Sequence, residues 1–176
     1  MSEIRFNYEE AFSRSLEYFD GDELAANVAV TKYLLADGDG QYFEATPGDM
    51  HERIADELHR VEAKYPNAMS REEIHGLLKD FKYVVPQGSP MSGIGNNQRL
   101  QSLSNCFVIE SPQDSYGGIC KTDQELVQIA KRRGGVGFDI STIRPKGMPT
   151  ANAARTADGI EVFMDRFSNS CREVAQ

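Results

Sequence analysis

Apolar residues recur at three- and four-residue steps through the first eighty positions and in short continuous runs beyond them. That change of period divides the chain into a helical half and a half that mixes strands with helices. Residues 8–19 put Ala11, Phe12, Leu16 and Phe19 on one side and Glu9, Glu10, Arg14 and Glu17 on the others, as an amphipathic helix does. Past the Asp20-Gly21 break, Asp22 is placed to cap a second helix reaching Leu35, with Leu24, Val28, Thr31 and Leu35 as its stripe and Gly38 and Gly40 beyond its end. Thr46-Pro47-Gly48-Asp49 combines a cap, a proline whose missing N–H costs nothing in a first turn, and an acid at the positive end of the dipole. It predicts a third helix to about Lys64. Tyr65-Pro66-Asn67 interrupts it, and the capping box Ser70-Arg71-Glu72-Glu73 opens a fourth helix ending near Phe81.

After Phe81 the pattern changes. The Gly/Ser/Pro/Asn-rich stretch 89–97 is not expected to hold a regular helix, and a domain boundary near Tyr83 is expected, giving units 1–82 and 83–176. Residues 105–109 form a short apolar run with β-branched and aromatic members, a predicted buried strand. Thr122 and Glu125 make a capping box for a helix with Leu126, Ile129 and Ala130 on its apolar side, Lys131-Arg132-Arg133 at its negative end and Gly134 to close it. Residues 135–140 read as a second strand. Asp158 with Glu161 starts a last helix through Val162, Phe163 and Phe167 to the end. Strand, helix, strand, helix predicts a right-handed parallel α/β unit behind an all-helical domain.

Composition refines this picture. The 176 residues are 40% hydrophobic and 26% charged, as in a soluble globular protein of one domain or one domain plus part of another. Residues 1–80 hold 8 basic against 18 acidic side chains, and residues 81–176 hold 11 against 9. The acidic half argues against contact with nucleic acid or an anionic membrane, which need clustered cations. No run of about 18 apolar residues exists, so a cytoplasmic protein is expected. Three cysteines, Cys106, Cys120 and Cys171, without CxxC spacing point to neither a disulfide framework nor a zinc ribbon. His51, His59 and His75 lack the four-residue spacing that puts two imidazoles on one metal and are expected at the surface, so no metal site is predicted. Asp37-Gly38-Asp39-Gly40-Gln41 imitates a calcium loop, but Tyr42 stands where glycine is needed and Gly48 where a glutamate should close the site. A plain turn is expected.

Few residues remain to carry chemistry. Cys106 lies on a strand, where a thiol is commonly a small buried hydrophobe, yet polar Ser104 and Asn105 precede it as they would not in a purely structural core strand. Gly134-Gly135-Val136-Gly137 follows a helix rather than opening one, which rules against a dinucleotide fingerprint. Arg144-Pro145-Lys146-Gly147 and Arg155 set cations among small residues, suited to phosphate, although a solvated basic loop accounts for them equally.

Taken in order, Ser89-Pro90-Met91-Ser92-Gly93, Leu103-Ser104-Asn105-Cys106-Phe107-Val108-Ile109-Glu110, Asp114-Ser115, Arg133-Gly134-Gly135-Val136-Gly137, Ile143-Arg144-Pro145-Lys146-Gly147 and Asp158-Gly159-Ile160 are more specific than any one of them. With these motifs the chain resembles the large subunit of ribonucleotide reductase over essentially its whole length. Arg99-Leu100-Gln101-Ser102-Leu103-Ser104-Asn105-Cys106 and Asn152-Ala153-Ala154-Arg155-Thr156 look most like the adenosylcobalamin-dependent class. The resemblance implies a helical N-terminal domain followed by the opening strands and helices of a ten-stranded α/β barrel, incomplete in this chain. It implies that Cys106 is one of two cysteines that reduce the ribose, that Ser89, Asn105 and Gly135 hold substrate, and that Asp114, Ser115, Arg144 and Lys146 hold a deoxynucleoside triphosphate effector. Thr150-Ala151-Asn152 departs from relatives with a second arginine there, which leaves phosphate contacts to Lys146 or Arg155.

The family's thiyl-radical cysteine, second reducing cysteine, later phosphate loop and shuttle thiols have no counterpart here. The implied protein is therefore an N-terminal fragment or split subunit, inactive until the remaining C-terminal part of the reductase completes the barrel. Its partners would be a ribonucleotide, a dithiol reductant such as thioredoxin and another copy of the completed enzyme. A non-catalytic nucleotide-binding or assembly module of the same fold is the alternative.

Overall fold

The computed structural model describes residues 5–174. They form two compact units that divide between Leu103 and Ser104. The stretch 83–103 thus clusters with the helical first unit, and the spatial division falls later than the boundary expected near residue 83.

In the first unit, α1 (Tyr8–Tyr18), α2 (Glu23–Lys32), α3 (Pro47–Glu62) and α4 (Arg71–Leu78) each begin on a side-chain cap: Asn7, Asp22, Thr46 and Ser70. Three are reciprocal capping boxes, closed by Glu10, Asp49 and Glu73. Their core gathers Ala11, Val30, Leu34, Met50, Ile54, Ala55, Ile74 and Leu78. The inner face of α2 is Ala26, Ala29 and Val30 rather than the expected stripe, and Leu24 is left 74% exposed. Facing them, α1 buries Ala11 and Ser15, whose hydroxyl donates to the Ala45 carbonyl at 2.9 Å. Small residues on both helices let the two backbones approach, so size overrides hydrophobicity in choosing the face.

A 3₁₀ turn, Lys79–Phe81, extends α4, with Asp80 and Phe81 in the left-handed region at φ 56° and 55°. The Tyr18 hydroxyl donates to Asp80 at 3.0 Å and fixes this corner; burial, then that bond, push the phenol up to about 12. His51 is fully buried, packed edge-on to Phe81 at 4.5 Å, which corrects the expected surface position. Asp37 accepts from the Asp39 and Gln41 amides and pairs with Arg5, so its carboxylate closes the 37–41 turn.

A short helix α5 (Gly88–Gly93) occupies the stretch expected to be irregular. Neighbouring side chains take the carbonyl groups that so short a helix cannot satisfy itself.

The second unit is built from β1 (Cys106–Val108), α6 (Tyr116–Ala130), β2 (Gly135–Gly137) and α7 (Ile160–Val174). The strands pair in parallel with Cys106 opposite Gly135, Phe107 opposite Val136 and Val108 opposite Gly137. The core is Ile119, Leu126, Ile143 and Phe167, with Phe138 edge-on to Phe167 at 4.8 Å and Cys171 packed against it. Two helix ends differ from the sequence reading. Helix α6 starts at a Ser115 cap, whose hydroxyl accepts from Gly118, and Thr122 is buried within it; two glycines in the first turn hide that start. Arg133, at φ 68°, takes the left-handed position, while Gly134 is demanded by space: a methyl there would stand 2.6 Å from Ile129 and 2.8 Å from Phe107. The expected buried strand is half open. Phe107 and Val136 turn inward, and Cys106 and Val108 lie on the uncovered face, Val108 at 92% exposure.

Candidate functional site

Successive side chains of a strand alternate faces, so the β1–β2 register puts Cys106, Gly135, Val108 and Gly137 on one side. The thiol is exposed and in no disulfide. Its cross-strand neighbour has no side chain: a methyl at Gly135 would reach 3.9 Å from the sulfur and 3.2 Å from the Asn105 carbonyl. That carbonyl accepts from the Gly135 amide at 2.6 Å, tying the segment before the thiol to β2. Asn105, Cys106 and Gly135 therefore come together as a nucleophile on an open, glycine-lined sheet face. Ser89 is in the first unit, buried on α5.

The second cluster is a cavity of about 420 Å³ between the α6 and α7 starts and the 143–158 loop. Asp114, Ser115 and Arg144 all line it. Asp114 accepts from Arg144 Nε at 2.7 Å and from its backbone amide at 3.3 Å, while Nη1 donates to the Pro149 carbonyl at 2.8 Å. Both side chains of the pair remain 35% exposed. Tyr116 and Phe163, edge-on at 5.9 Å, give the cavity an aromatic wall, and Asn152 and Asp158 add polar groups. The residues sequence reasoning missed are the aromatic pair and Asn152. Their spacing of 47 positions on different helices gives no local signal. Lys146 is exposed outside the cavity, its stem lying over Gly159, where a methyl would meet Lys146 Cβ at 3.0 Å. Of the four proposed effector residues, three converge and Lys146 does not.

A carboxylate beside a guanidinium, next to an aromatic wall, suits a ligand with hydroxyl, anionic and planar apolar parts. A strand-borne thiol over open space suits thiol–disulfide chemistry. Both features fall within residues 104–176, which match the family model of the ribonucleotide reductase barrel domain.

The wider chain is similar to whole reductases. It is 34% identical over 143 residues to the ribonucleoside-diphosphate reductase large chain of Neurospora crassa, covering 78% of this chain and 14% of that one. Similarity to a vitamin B12-dependent ribonucleoside-diphosphate reductase of Mycobacterium tuberculosis is 28% over 162 residues, or 88% of this chain and 23% of the relative. With large chain 2 of the Saccharomyces cerevisiae enzyme it shares 38% over 74 residues, 42% of this chain and 8% of that one. Residues 104–176 belong to the ribonucleotide reductase barrel-domain family, and the chain spans less than a quarter of the length of these relatives. Among the described residues, no helix is long and apolar enough to cross a membrane.

Proposed function

We propose that these residues serve ribonucleotide reduction by contributing one of the two reducing thiols and part of the substrate and effector sites. The observation that carries the reading is the exposed Cys106 thiol facing Gly135 across the open strand pair. In this reading a ribonucleotide and a dithiol become a deoxyribonucleotide, water and a disulfide. The ribose 2′-hydroxyl leaves as water, a hydrogen takes its place, and the thiol pair supplies the two electrons through a thiyl-radical mechanism. Cys106 is one member of the pair; the other, and the radical-bearing cysteine, come from outside these residues, in a longer chain or a separate one. A rigid strand fixes the sulfur against the sugar, where proximity lowers the barrier.

Ser89, Asn105 and Gly135 are proposed to hold substrate, with a dithiol such as thioredoxin regenerating the enzyme in the cytoplasm. The 420 Å³ cavity is proposed to take a deoxynucleoside triphosphate, Asp114 receiving the ribose hydroxyl, Arg144 the phosphates and the Tyr116–Phe163 wall the base. Lys146, though outside the cavity, is proposed to add charge to the phosphate approach. Adenosylcobalamin is proposed for the completed enzyme and not for these residues alone; among the described ones no group of His, Cys, Asp or Glu could hold a metal. No step here is therefore assigned to adenosylcobalamin.

In a reductase containing these residues, Cys106→Ser is expected to abolish multiple turnover with a dithiol reductant, while Cys171→Ser, at a packing position, retains it. Normal turnover by Cys106→Ser overturns the reading. A second reading, a nucleotide-binding module without catalysis, is favoured by the cavity being lined wholly by second-unit residues. Calorimetric binding of deoxynucleoside triphosphate together with normal turnover by Cys106→Ser would select it.

A further inference from the structure

Helix α5 carries Ser89 in a segment with little tendency of its own to be helical. Six residues including two glycines do not hold a helix in water. Side chains from elsewhere in the first unit take its carbonyl oxygens. Asn96 Nδ2 donates to Ser92 O at 3.0 Å and Gln101 Nε2 to Ser89 O at 3.3 Å. Arg53, from α3, reaches furthest along the chain: Nη2 donates to Met91 O at 3.0 Å and Nη1 to Ile94 O.

The guanidinium is itself held. Arg53 Nε donates to Glu44 Oε1 at 2.6 Å and Nη2 to Oε2 at 3.3 Å, and the same carboxylate accepts from the Leu35 amide at 2.7 Å. The two side chains are only 10% and 6% exposed. Gly95, at φ 73°, leaves the arginine stem a path, since a methyl there would stand 2.8 Å from Arg53 Cγ. Each of the three guanidinium nitrogens has a partner within the first unit. What a buried, forked ion pair of this kind fixes is direction.

We propose that Arg53, oriented by Glu44, is a positioning residue for Ser89: it sets the α5 backbone so that the serine is held ready for the substrate phosphate. The proposal rests on the substrate reading of Ser89 given above. Lysine is a poor replacement, because one ammonium cannot span two carbonyls and a carboxylate in the fork's plane.

The test uses a reductase containing these residues, assayed for ribonucleotide reduction. Arg53→Lys is expected to raise the substrate KM about tenfold while kcat stays within about twofold. Arg71→Met, which removes the ion pairs to Glu52 and Asp56 elsewhere in the unit, is expected to lower Tm and leave KM alone. Hydrogen exchange of amides 88–95 reads the clamp without activity: it speeds up in Arg53→Lys and not in Arg71→Met. Should Arg53→Lys fail to fold, Gly95→Ala keeps the guanidinium but forces its stem aside, at the cost of a strained backbone at φ 73°, and is expected to shift KM the same way.

Unchanged KM in the folded Arg53 or Gly95 variant, alongside a raised KM in Ser89→Ala, overturns the positioning role alone. Unchanged exchange at 88–95 in Arg53→Lys also overturns it. Unchanged KM in Ser89→Ala overturns the substrate reading and, with it, the role of Arg53.

Discussion

His51 is enclosed by Phe81 and the first-unit core, and neither ring nitrogen has a hydrogen-bond partner. Burial, and then the neighbouring His75, hold its pKa below the ordinary value, while Asp80 and Glu52 pull weakly the other way. The folded state therefore keeps a neutral imidazole that the unfolded chain protonates more readily. Stability is full above the ordinary histidine value, about 6.5, and falls as pH drops below it toward the folded value. His51→Leu should remove that slope and, by relieving the unpaired polar atoms, stabilise the unit by about 1 kcal/mol. Thermal melts from pH 7 to pH 5 check both, and a steeper slope in the variant would refute the assignment. The exposed Asp114–Arg144 pair adds at most about 1 kcal/mol to stability. On the proposed effector role, Arg144→Ala should weaken deoxynucleoside triphosphate binding about tenfold or more by calorimetry, with little change in Tm.

At the scale of the element, α6 depends on a single hydroxyl at its start. Ser115→Ala should cost about 1 kcal/mol, seen as a lower midpoint in urea, because Gly118 loses its capping partner. Three helices of the first unit were legible because their caps are local: Asp22, Thr46 and Ser70 each sit within three residues of the amide they satisfy, while α1 was legible from its apolar stripe. Cys106 and Gly135 were legible as candidates, as were Asp114, Ser115 and Arg144, because motif order carries them. The inner face of α2 was not legible, since the choice between Leu24 and Ala26 is made by the closeness of α1. Nor was α5, whose carbonyls are taken by Arg53 from 38 and 41 positions away. The openness of β1 escaped as well: a Cys-Phe-Val run reads the same whether one or both faces are covered.

For the molecule as a whole, the two units have separate cores. Ile54→Ala in the first and Leu126→Ala in the second should each cost about 2–5 kcal/mol. In calorimetry each is expected to move one transition and leave the other, and a single transition displaced equally by both would contradict independent folding. The uncovered thiol has a consequence for handling. Cys106 and Cys120 are both exposed, so each molecule has two points at which air oxidation can join it to another. A species with two such points grows into chains, whereas one with a single point stops at the pair; without reductant, non-reducing gels should show a ladder that Cys120→Ser collapses to a dimer band.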